Sequence, residues 1–544
     1  MLSWPGHIWR LMRVAATLAS YDALLPKEYI NRLPGFWRVF RGVITFPSEM
    51  LEWFSAAPGR FGNWITGRRP LPRRRRPLGQ RLAEAMERLG PAYVKFGQFL
   101  ATRPDMIGVT AAQDLGRLKD RLPPFSREQA LDTLNAELGG TESLFGTISE
   151  AMAAASIAQV HQAIKPRLGV MAIKILRPRI ERKLEREMAA LRFGAQAIEL
   201  FSPRSRRLEP VAFVDTVSAA MQRELDLRLE AGAAAEFKEV AAKDGYLSVP
   251  EIDWSRCSKR VMTLEWIEGT PLTDMKALDK VGADRAALAI AVTRGFLAAA
   301  LDHGFFHADM HEGNLIYGKD NKLWVVDFGI MGRIGDKERR YLAEILYGFL
   351  RRDYRRVAEV HAEAGYVPER FTVEEFAQAL RAIGEPIFGK TADGISMSKL
   401  LLQLFDVTHL FGMHLRTELV MLQKTMVQVE GVARALDPKH DMWAAARPIV
   451  ERWVKRELGA EGVSRRGIGE AIDAIQVMRK LPQTLVALQG AANAIRQGPQ
   501  AVGTLPFQWR AFWIGLGVGI LVMLTLASIG GQEIILQSPI TGGS

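Results

Sequence analysis

Residues 307–329 constrain the fold of this chain more than any other stretch of its sequence. Two short apolar runs rich in β-forming side chains, at residues 315–317 and 323–326, flank a Gly-Lys-Asp-Asn sequence at residues 318–321. Apolar runs that are separated by a short turn-forming sequence are typical of a β-hairpin. The sequence therefore predicts two antiparallel strands whose outer ends lie side by side.

Three oxygen-bearing side chains are tied to this predicted hairpin. Asn314 comes just before the first strand and Asp327 just after the second, so the hairpin brings both to the same end of the sheet. Asp309 lies in the loop that leads into the hairpin. Amide and carboxylate oxygens are hard ligands of the kind that Mg²⁺ binds, together with water and phosphate oxygens. The segment therefore predicts a small Mg²⁺ site.

The spacing matches the catalytic loop of protein kinases, which reads H-R-D-x-x-x-x-N and is followed by D-F-G. Here residues 307–309 read His-Ala-Asp, Asn314 follows at the same offset, and residues 327–329 read Asp-Phe-Gly. In that pattern Asp309 orients or deprotonates the nucleophile. His307 and His311 are four residues apart and could form a metal pair, but no third ligand accompanies them. Hydrogen-bonded or solvated histidines are the favoured interpretation.

An upstream lysine fits the same chemistry. Residues 169–174 form an apolar, strand-like run that ends at Lys174, as the V-A-I-K strand of kinases does. The small side chains of residues 151–160 precede it and allow the backbone to approach phosphates closely. Kinases pair this lysine with a glutamate on a helix. Glu224 is the favoured partner here, and Glu187 is the alternative.

Several other segments are predicted to be helical. Residues 79–121 are predicted to form two helices, and residues 211–237 one long helix that carries Glu224 and Glu230. After Gly329 the chain is predicted to enter a helix quickly, without an Ala-Pro-Glu sequence or a long activation segment. In kinases those parts hold a protein substrate.

Composition narrows the class of protein. A chain of 544 residues, nearly half of them hydrophobic, is long enough for about two to four domains with sizeable cores. Its formal charge of +12 suits an anionic membrane, a nucleic acid or a nucleotide without choosing among them. The one cysteine, Cys257, excludes an intramolecular disulfide framework and a cysteine zinc site.

The N-terminal 76 residues are rich in aromatic and basic side chains. Such a mixture is typical of a membrane–water interface, although a helical arm packed on its own protein explains it equally well. Six arginines at residues 68–76 could attract anionic lipid. A solvated linker and a nucleic-acid-binding arm are the alternatives, and nucleic acid is the disfavoured partner.

Residues 511–530 form an uncharged apolar run of sufficient length to cross a bilayer as a helix. A buried core helix is the alternative. Arginines lie before the run and only one charged residue follows it. The positive-inside rule then places the large N-terminal part in the cytoplasm.

Taken together, these motifs resemble those of the UbiB family of atypical kinase-like proteins. Residues 95–98, Lys-Phe-Gly-Gln, are similar to the family's KxGQ motif, and residues 153–160 are similar to its alanine-rich loop. Residues 224–226, Glu-Leu-Asp, resemble its ExD motif. The segments 307–314 and 327–329 complete the site. The resemblance runs from about Gly79 to Gly329.

The resemblance implies an α+β, two-lobed, protein-kinase-like fold with extra N-terminal helices, a helix-rich C-lobe and a C-terminal transmembrane helix. The predicted divisions are a basic aromatic segment (residues 1–76), a KxGQ helical extension (77–122), an N-lobe with inserted helices (123–272), a helical C-lobe (273–508) and the transmembrane helix (511–530).

The resemblance also implies roles for individual residues, with ATP and Mg²⁺ as cofactors. Lys174 would hold the α- and β-phosphates with Glu224 as its partner, Asn314 and Asp327 would hold Mg²⁺, and Asp309 would act on the nucleophile. Lys95 and Gln98 would gate the pocket. The loop expected to cover the phosphates consists of Met152, Ala153, Ala154, Ala155, Ser156, Ile157, Ala158, Gln159 and Val160.

The expected activity is Mg²⁺-dependent ATP hydrolysis that supports ubiquinone biosynthesis at the bacterial inner membrane. The implied partners are ATP, an isoprenoid lipid or ubiquinone precursor, the membrane, and other proteins of ubiquinone synthesis. A kinase for a small molecule, a lipid or a protein would share this site. A nucleotide-gated scaffold without catalysis is a further alternative.

Overall fold

The computed structural model divides the described part of the chain into two compact units. The described residues are 4–21, 23, 77–101, 103, 107, 109–116, 118, 123–165, 169–201, 206, 208–388, 403, 407, 411, 413 and 417–458. The first unit holds the described residues up to Leu229 together with Asp253–Leu264, and the second holds Glu230–Ile252 and those from Glu265 onward. The arginine run at residues 68–76 and the predicted span at residues 511–530 lie outside the described residues.

The first unit combines helices with one antiparallel sheet. Its helices are α1 (Trp4–Ser20), α2 (Leu78–Leu89), α3 (Pro91–Leu100), α4 (Val109–Leu115), α5 (Arg127–Leu138), α6 (Thr141–Phe145), α7 (Ile180–Phe201) and α8 (Pro210–Glu224). Its strands are β1 (Thr147–Ala154), β2 (Ala158–Lys165), β3 (Gly169–Leu176) and β4 (Val261–Glu265), in the order β1-β2-β3-β4.

The core of this sheet is built from β-branched and small side chains on one face. Ile148, Ile173 and Val261 are buried against Leu134 of α5 and Phe145 of α6. Strands β2 and β3 pair in continuous register from Ala158↔Leu176 to Lys165↔Gly169. The alanine-rich segment and the strand that ends near Lys174 therefore belong to one rigid layer.

Helices α2 and α3 form a hairpin that carries the KxGQ residues. Gly90, between the two helices, has a φ of +104°, a backbone conformation that glycine adopts without strain. A Cβ on Gly97 would lie 2.4 Å from Met86 Sδ and 2.6 Å from Leu118 Cδ1, so glycine allows close packing here. The sequence predicts two helices between residues 79 and 121, whereas the structure has a third, α4.

The prediction of one continuous helix over residues 211–237 is wrong. Helix α8 ends at Glu224, and the next helix, α9 (Leu227–Asp244), begins three residues later. The Arg228 backbone N–H donates to Asp226 Oδ1 at 3.1 Å, so Asp226 caps the second helix. The break places Glu224 and Glu230 on separate helices.

The second unit is mostly helical, with two small sheets. Its helices are α9, α10 (Met275–Lys280), α11 (Arg285–Ala298), α12 (Asp336–Arg351), α13 (Tyr354–Glu363), α14 (Val373–Phe388), α15 (Thr417–Leu436) and α16 (Met442–Leu458). Its strands are β5 (Gly269–Pro271), β6 (Phe305–His307), β7 (Leu315–Gly318), β8 (Leu323–Val325) and β9 (Met331–Arg333), with orders β5-β7-β8 and β6-β9.

The predicted hairpin is confirmed. Strands β7 and β8 are antiparallel, with Leu315 opposite Val325 and Tyr317 opposite Leu323. The Val326 backbone N–H donates to the carbonyl of Asn314 at 2.9 Å, which closes the end of the hairpin where Asn314 and Asp327 lie. After the Asp-Phe-Gly sequence, the short strand β9 leads within a few residues into α12, so this described stretch contains no long activation segment, as the sequence predicts.

Helix α11 forms the centre of the second unit. Asp284 caps it by accepting a hydrogen bond from the Ala287 N–H, and a π-helical turn, Ala299–His303, continues it toward β6. Among the described helices, Arg285–His303 alone has the length and apolar composition of a membrane span. Most of this stretch is buried inside the protein, so packing in the core explains its apolar residues.

A buried histidine makes the stability of the second unit depend on pH. His361 packs against Tyr366 and Phe376, and burial lowers its pKa from 6.5 to about 4. The unfolded chain therefore binds a proton below pH 6.5 that the folded state does not bind. The contribution of neutral His361 to stability is fully present above pH 6.5. We expect the free energy of unfolding to fall by about 2 kcal/mol by pH 5. In thermal unfolding of full-length protein, His361→Gln should lose less stability between pH 7 and pH 5 than the parent protein loses. An equal loss in the two proteins would contradict this assignment.

Candidate active site

His307 connects the two halves of the predicted site in the second unit. Its Nδ1 accepts a hydrogen bond from the Asp309 backbone N–H at 3.2 Å, so its Nε2 carries the proton and donates to the Asp327 carbonyl at 2.6 Å. The side chain is 1% exposed, and burial lowers its pKa. Neutral His307 therefore fixes the position of the Asp309 loop relative to Asp327, and the favoured hydrogen-bonded interpretation holds for this histidine.

Asp309 is held at its backbone and at one carboxylate oxygen. Its carbonyl accepts a hydrogen bond from Asn314 Nδ2 at 3.0 Å. Its Oδ1 accepts one from Gln428 Nε2 at 2.9 Å and lies 3.7 Å from Lys424 Nζ. Its Oδ2 lies 3.8 Å from His311 Nε2, beyond hydrogen-bonding distance. This arrangement leaves Oδ2 available to accept a proton from a nucleophile.

Asn314 and Asp327 lie at the same end of the hairpin, as the sequence predicts. The Asn314 side chain donates through Nδ2 to Asp309, which leaves its Oδ1 as the atom that can bind a cation. Asp327 supplies carboxylate oxygens, and its Oδ1 accepts a 3.3 Å hydrogen bond from the Gly329 N–H. An amide oxygen and a carboxylate fit the ligands of Mg²⁺, which completes its shell with water and phosphate oxygens. No group of three His, Cys, Asp or Glu side chains arranged for a metal occurs among the described residues.

The Asp-Phe-Gly segment is held in place by the backbone N–H and the ring of Phe328. Asp327 has a φ of +67°, a left-handed conformation that is uncommon outside glycine. The Phe328 N–H donates to Glu230 Oε1 of α9 at 3.3 Å. The Phe328 ring is 2% exposed and packs against Phe237 and His307, with centroids 6.1 and 5.8 Å apart. Helix α9 thus holds this segment through one hydrogen bond and an aromatic contact.

Helix α15 supplies contacts to the catalytic loop that the sequence analysis does not predict. Besides Lys424 and Gln428, its Thr425 donates through Oγ1 to the carbonyl of Ala308 at 3.0 Å. These side chains lie more than a hundred positions beyond the loop and belong to no motif. Gln428 follows Thr425 by three residues and Lys424 by four, a spacing that places the three side chains on one face of a helix but does not indicate what that face contacts.

In the first unit, the KxGQ lysine forms a buried ion pair. Lys95 Nζ lies 2.9 Å from Glu224 Oε2, and their side chains are 9% and 13% exposed. The structure thus brings together residues of the KxGQ and ExD motifs. Glu187, the alternative partner of Lys174, accepts hydrogen bonds from Tyr93 and Arg13. The pairing of Lys174 with Glu224 stays a prediction, and so does the gating role of Lys95 and Gln98.

The predicted phosphate loop consists of two strand ends and a tight turn. Met152–Ala154 lie in β1 and Ala158–Val160 in β2, while the Ala155 N–H donates to the Ala158 carbonyl at 2.8 Å across the turn. The Arg177 guanidinium donates twice to the Ala155 carbonyl, at 2.8 and 3.1 Å. This side chain therefore fixes the turn in place.

Two polar side chains of the loop point inward. Gln159 is 1% exposed and exchanges hydrogen bonds with the backbone of Phe125, and its Nε2 also donates to His161. The Ser156 hydroxyl is fully buried without a hydrogen-bond partner in the described part of the chain. Lys174 lies opposite Val160 in the β2–β3 register, which places it on the strand adjacent to the loop. The nucleotide-binding roles of these residues stay predictions.

Comparison with known proteins agrees with these motifs. The sequence model of the ABC1 atypical kinase-like domain matches residues 117–361, and that of the UbiB helical domain matches residues 380–441. A solved structure described as Rv3197 with erythromycin, from Mycobacterium tuberculosis, aligns with 65% of this chain and 90% of its own. Its TM-score is 0.45 and its identity is 22%.

Curated relatives that carry the name "Probable protein kinase UbiB" cover most of the sequence. The relative from Marinobacter nauticus is 38% identical over 84% of this chain and 80% of its own length. The relative from Pseudomonas aeruginosa is 35% identical over 89% of this chain and 91% of its own length. The relative from Aeromonas hydrophila is 38% identical over 77% of this chain and 77% of its own length. The chain therefore belongs to the UbiB family of ABC1 atypical kinase-like proteins.

Proposed function

We propose that this protein is a Mg²⁺-dependent, ATP-binding atypical kinase that hydrolyses ATP in support of ubiquinone biosynthesis at the membrane. The observation that carries the proposal is the geometry of Asp309. One of its carboxylate oxygens is held by Gln428, and the other accepts no hydrogen bond from the described residues. A general base must be oriented in this way before it can accept a proton from water or an acceptor hydroxyl.

Other residues would supply the remaining parts of a phosphoryl-transfer site. Asn314 and Asp327 would hold Mg²⁺, which neutralises charge on the phosphates of ATP. Lys174 would hold the α- and β-phosphates, and residues 152–160 would cover them. Asp309 would orient the attacking oxygen and take its proton. The short connection from β9 to α12 supports water rather than a protein side chain as the acceptor, because it offers no long segment on which a protein substrate could lie.

The pathway and the membrane enter the proposal through family membership and sequence. The relatives bear the UbiB name, which refers to ubiquinone biosynthesis. The apolar run at residues 511–530 supports an anchor in the inner membrane, with the main part of the chain in the cytoplasm. An isoprenoid lipid or ubiquinone precursor is then the expected partner.

The test measures phosphate release from Mg-ATP by full-length protein, with and without vesicles of phosphatidylethanolamine and cardiolipin that contain a polyprenylphenol. We expect turnover that rises with the vesicles. Lys174→Ala should raise the Kd for ATP at least about tenfold, because an ionic contact with phosphate is lost. Lys280→Ala, on the exposed surface of α10, is the matched control and should bind ATP like the parent protein.

Three outcomes would change the proposal. Intact ATP binding without phosphate release would favour the nucleotide-gated scaffold. Transfer of label from γ-labelled ATP to a lipid, small molecule or protein, in place of release, would favour a kinase. Unaltered ATP affinity in Lys174→Ala would contradict the assignment of that lysine.

A further inference from the structure

One face of helix α15 is directed at the catalytic loop. Gln428 lies three residues after Thr425 and four after Lys424, so the three side chains share one side of the helix. All three contact residue 308 or 309. This helix falls within residues 380–441, which match the UbiB helical domain, while the loop falls within the kinase-like domain. The helical domain therefore contributes directly to the catalytic loop.

Thr425 anchors this contact. Its side chain is fully buried, and its hydroxyl lies 3.0 Å from the Ala308 carbonyl and 2.9 Å from the Met421 carbonyl. A buried hydroxyl in this position ties the helix to the loop, because sliding of the helix would break its buried hydrogen bond to the Ala308 carbonyl. The neighbouring side chains are thus held at defined distances from Asp309.

Gln428 determines which carboxylate oxygen of Asp309 is available. Its Nε2 lies 2.9 Å from Oδ1, and its own Oε1 is buried without a hydrogen-bond partner in the described residues. The reversed amide would place an oxygen against the carboxylate, which is unfavourable, so the observed orientation is the stable one. Oδ2 is left to face the nucleophile.

Lys424 provides a cation that the catalytic loop itself lacks. Residues 307–314 contain no lysine or arginine. Lys424 Nζ lies 3.7 Å from Asp309 Oδ1, which is longer than a hydrogen-bonded ion pair, and the side chain is 45% exposed. Asp309 is its only acidic partner among the described residues. An ammonium group has three donors, so Lys424 can also bind a phosphate oxygen next to the base.

We propose that Lys424 is a catalytic cation for the transferred phosphoryl group and that Gln428 is a positioning residue for Asp309. This inference rests on the proposed function. In the reaction, the bond between the γ-phosphorus and the β–γ bridging oxygen breaks, and ADP leaves with the bond's electron pair. The nucleophile's oxygen forms the new bond to phosphorus, and its proton passes to Asp309 Oδ2. Lys424 stabilises the negative charge on the γ-phosphoryl oxygens during this step.

The test compares kcat, KM and ATP affinity for Lys424→Met, Lys424→Arg and Gln428→Leu in the full-length protein, with Mg-ATP and the vesicles described above. We expect Lys424→Met to lower kcat about 100-fold, as loss of a group that stabilises transition-state charge does. Its Kd for ATP should remain within about threefold of the parent value. Lys424→Arg should restore most of the activity because it retains the cation, and Gln428→Leu should lower kcat about tenfold.

The matched control is Lys439→Met, since Lys439 is exposed just after the same helix and its side chain has no described partner. Its kcat should equal that of the parent protein. A kcat of Lys424→Met within twofold of the parent, or failure of arginine to restore activity, would overturn the inference while leaving the proposed function intact. Absence of turnover by the parent protein itself would overturn both.

Discussion

Replacing Asp309 with asparagine should lower kcat for ATP hydrolysis by about 10³-fold while leaving the Kd for Mg-ATP nearly unchanged. Positioned general bases contribute about 10²–10⁴-fold to rate. The substitution keeps the volume of the side chain, but its amide cannot take a proton from the nucleophile. Because the loop is also held by His307 and Asn314 through the backbone of residue 309, the loop should keep its position in the variant.

The measurement combines single-turnover phosphate release with calorimetric ATP binding. Asp320→Asn is the control, because Asp320 lies in the turn of the same hairpin, at the end remote from Asn314 and Asp327, and bonds to Trp324 and Lys322. Its rate should match that of the parent protein. A rate for Asp309→Asn within tenfold of the parent would mean that Asp309 orients the nucleophile without accepting its proton.

Replacing Lys95 with methionine should destabilise the first unit by about 3–5 kcal/mol. The change leaves the Glu224 carboxylate mostly buried without its cation, and an uncompensated buried charge costs about that much. In thermal unfolding of full-length protein, the transition assigned to the first unit should fall by roughly 6 °C or more. Lys183→Met, an exposed substitution on α7, should leave that transition unchanged.

The double variant Lys95→Met/Glu224→Leu separates the charge from the packing. Removing both members of a buried ion pair is often neutral, since neither charge is then left in the interior. We therefore expect the double variant to recover most of the lost stability. If Lys95→Met unfolded at the same temperature as the parent protein, the ion pair would not stabilise the first unit. The gating role predicted for Lys95 would then need a separate test.

The hairpin and its polar residues could be predicted because the signals are local. The turn at Gly318–Asn321 and the flanking apolar runs fix the register, and the register alone brings Asn314 and Asp327 together. Helices α5 and α11 also begin at local signals, because Ser126 and Asp284 are residue types that favour the N-cap position and both cap their helices. In contrast, the ion pair of Lys95 with Glu224 depends on tertiary packing between distant helices.

The break between α8 and α9 shows why local sequence was insufficient elsewhere. Residues 222–230 contain no glycine or proline, and most of them are compatible with a helix. The available sign was Asp226, a residue type that favours the N-cap position. The contacts of Lys424 and Gln428 with Asp309 gave no comparable sign, because a lysine and a glutamine on a helix are usually solvent-exposed.

The burial of Phe328 has a consequence for ligand design. Moving this ring out of the core would expose an aromatic side chain, at about 1.5–3 kcal/mol, and would break the hydrogen bond of its N–H to Glu230, at about 1.5–3 kcal/mol. A cost of about 4 kcal/mol corresponds to roughly one molecule in a thousand with the ring displaced. A compound that binds only this rare conformer has its apparent affinity lowered by the same factor. Compound libraries directed at this protein are therefore better chosen for shapes that fit the buried ring.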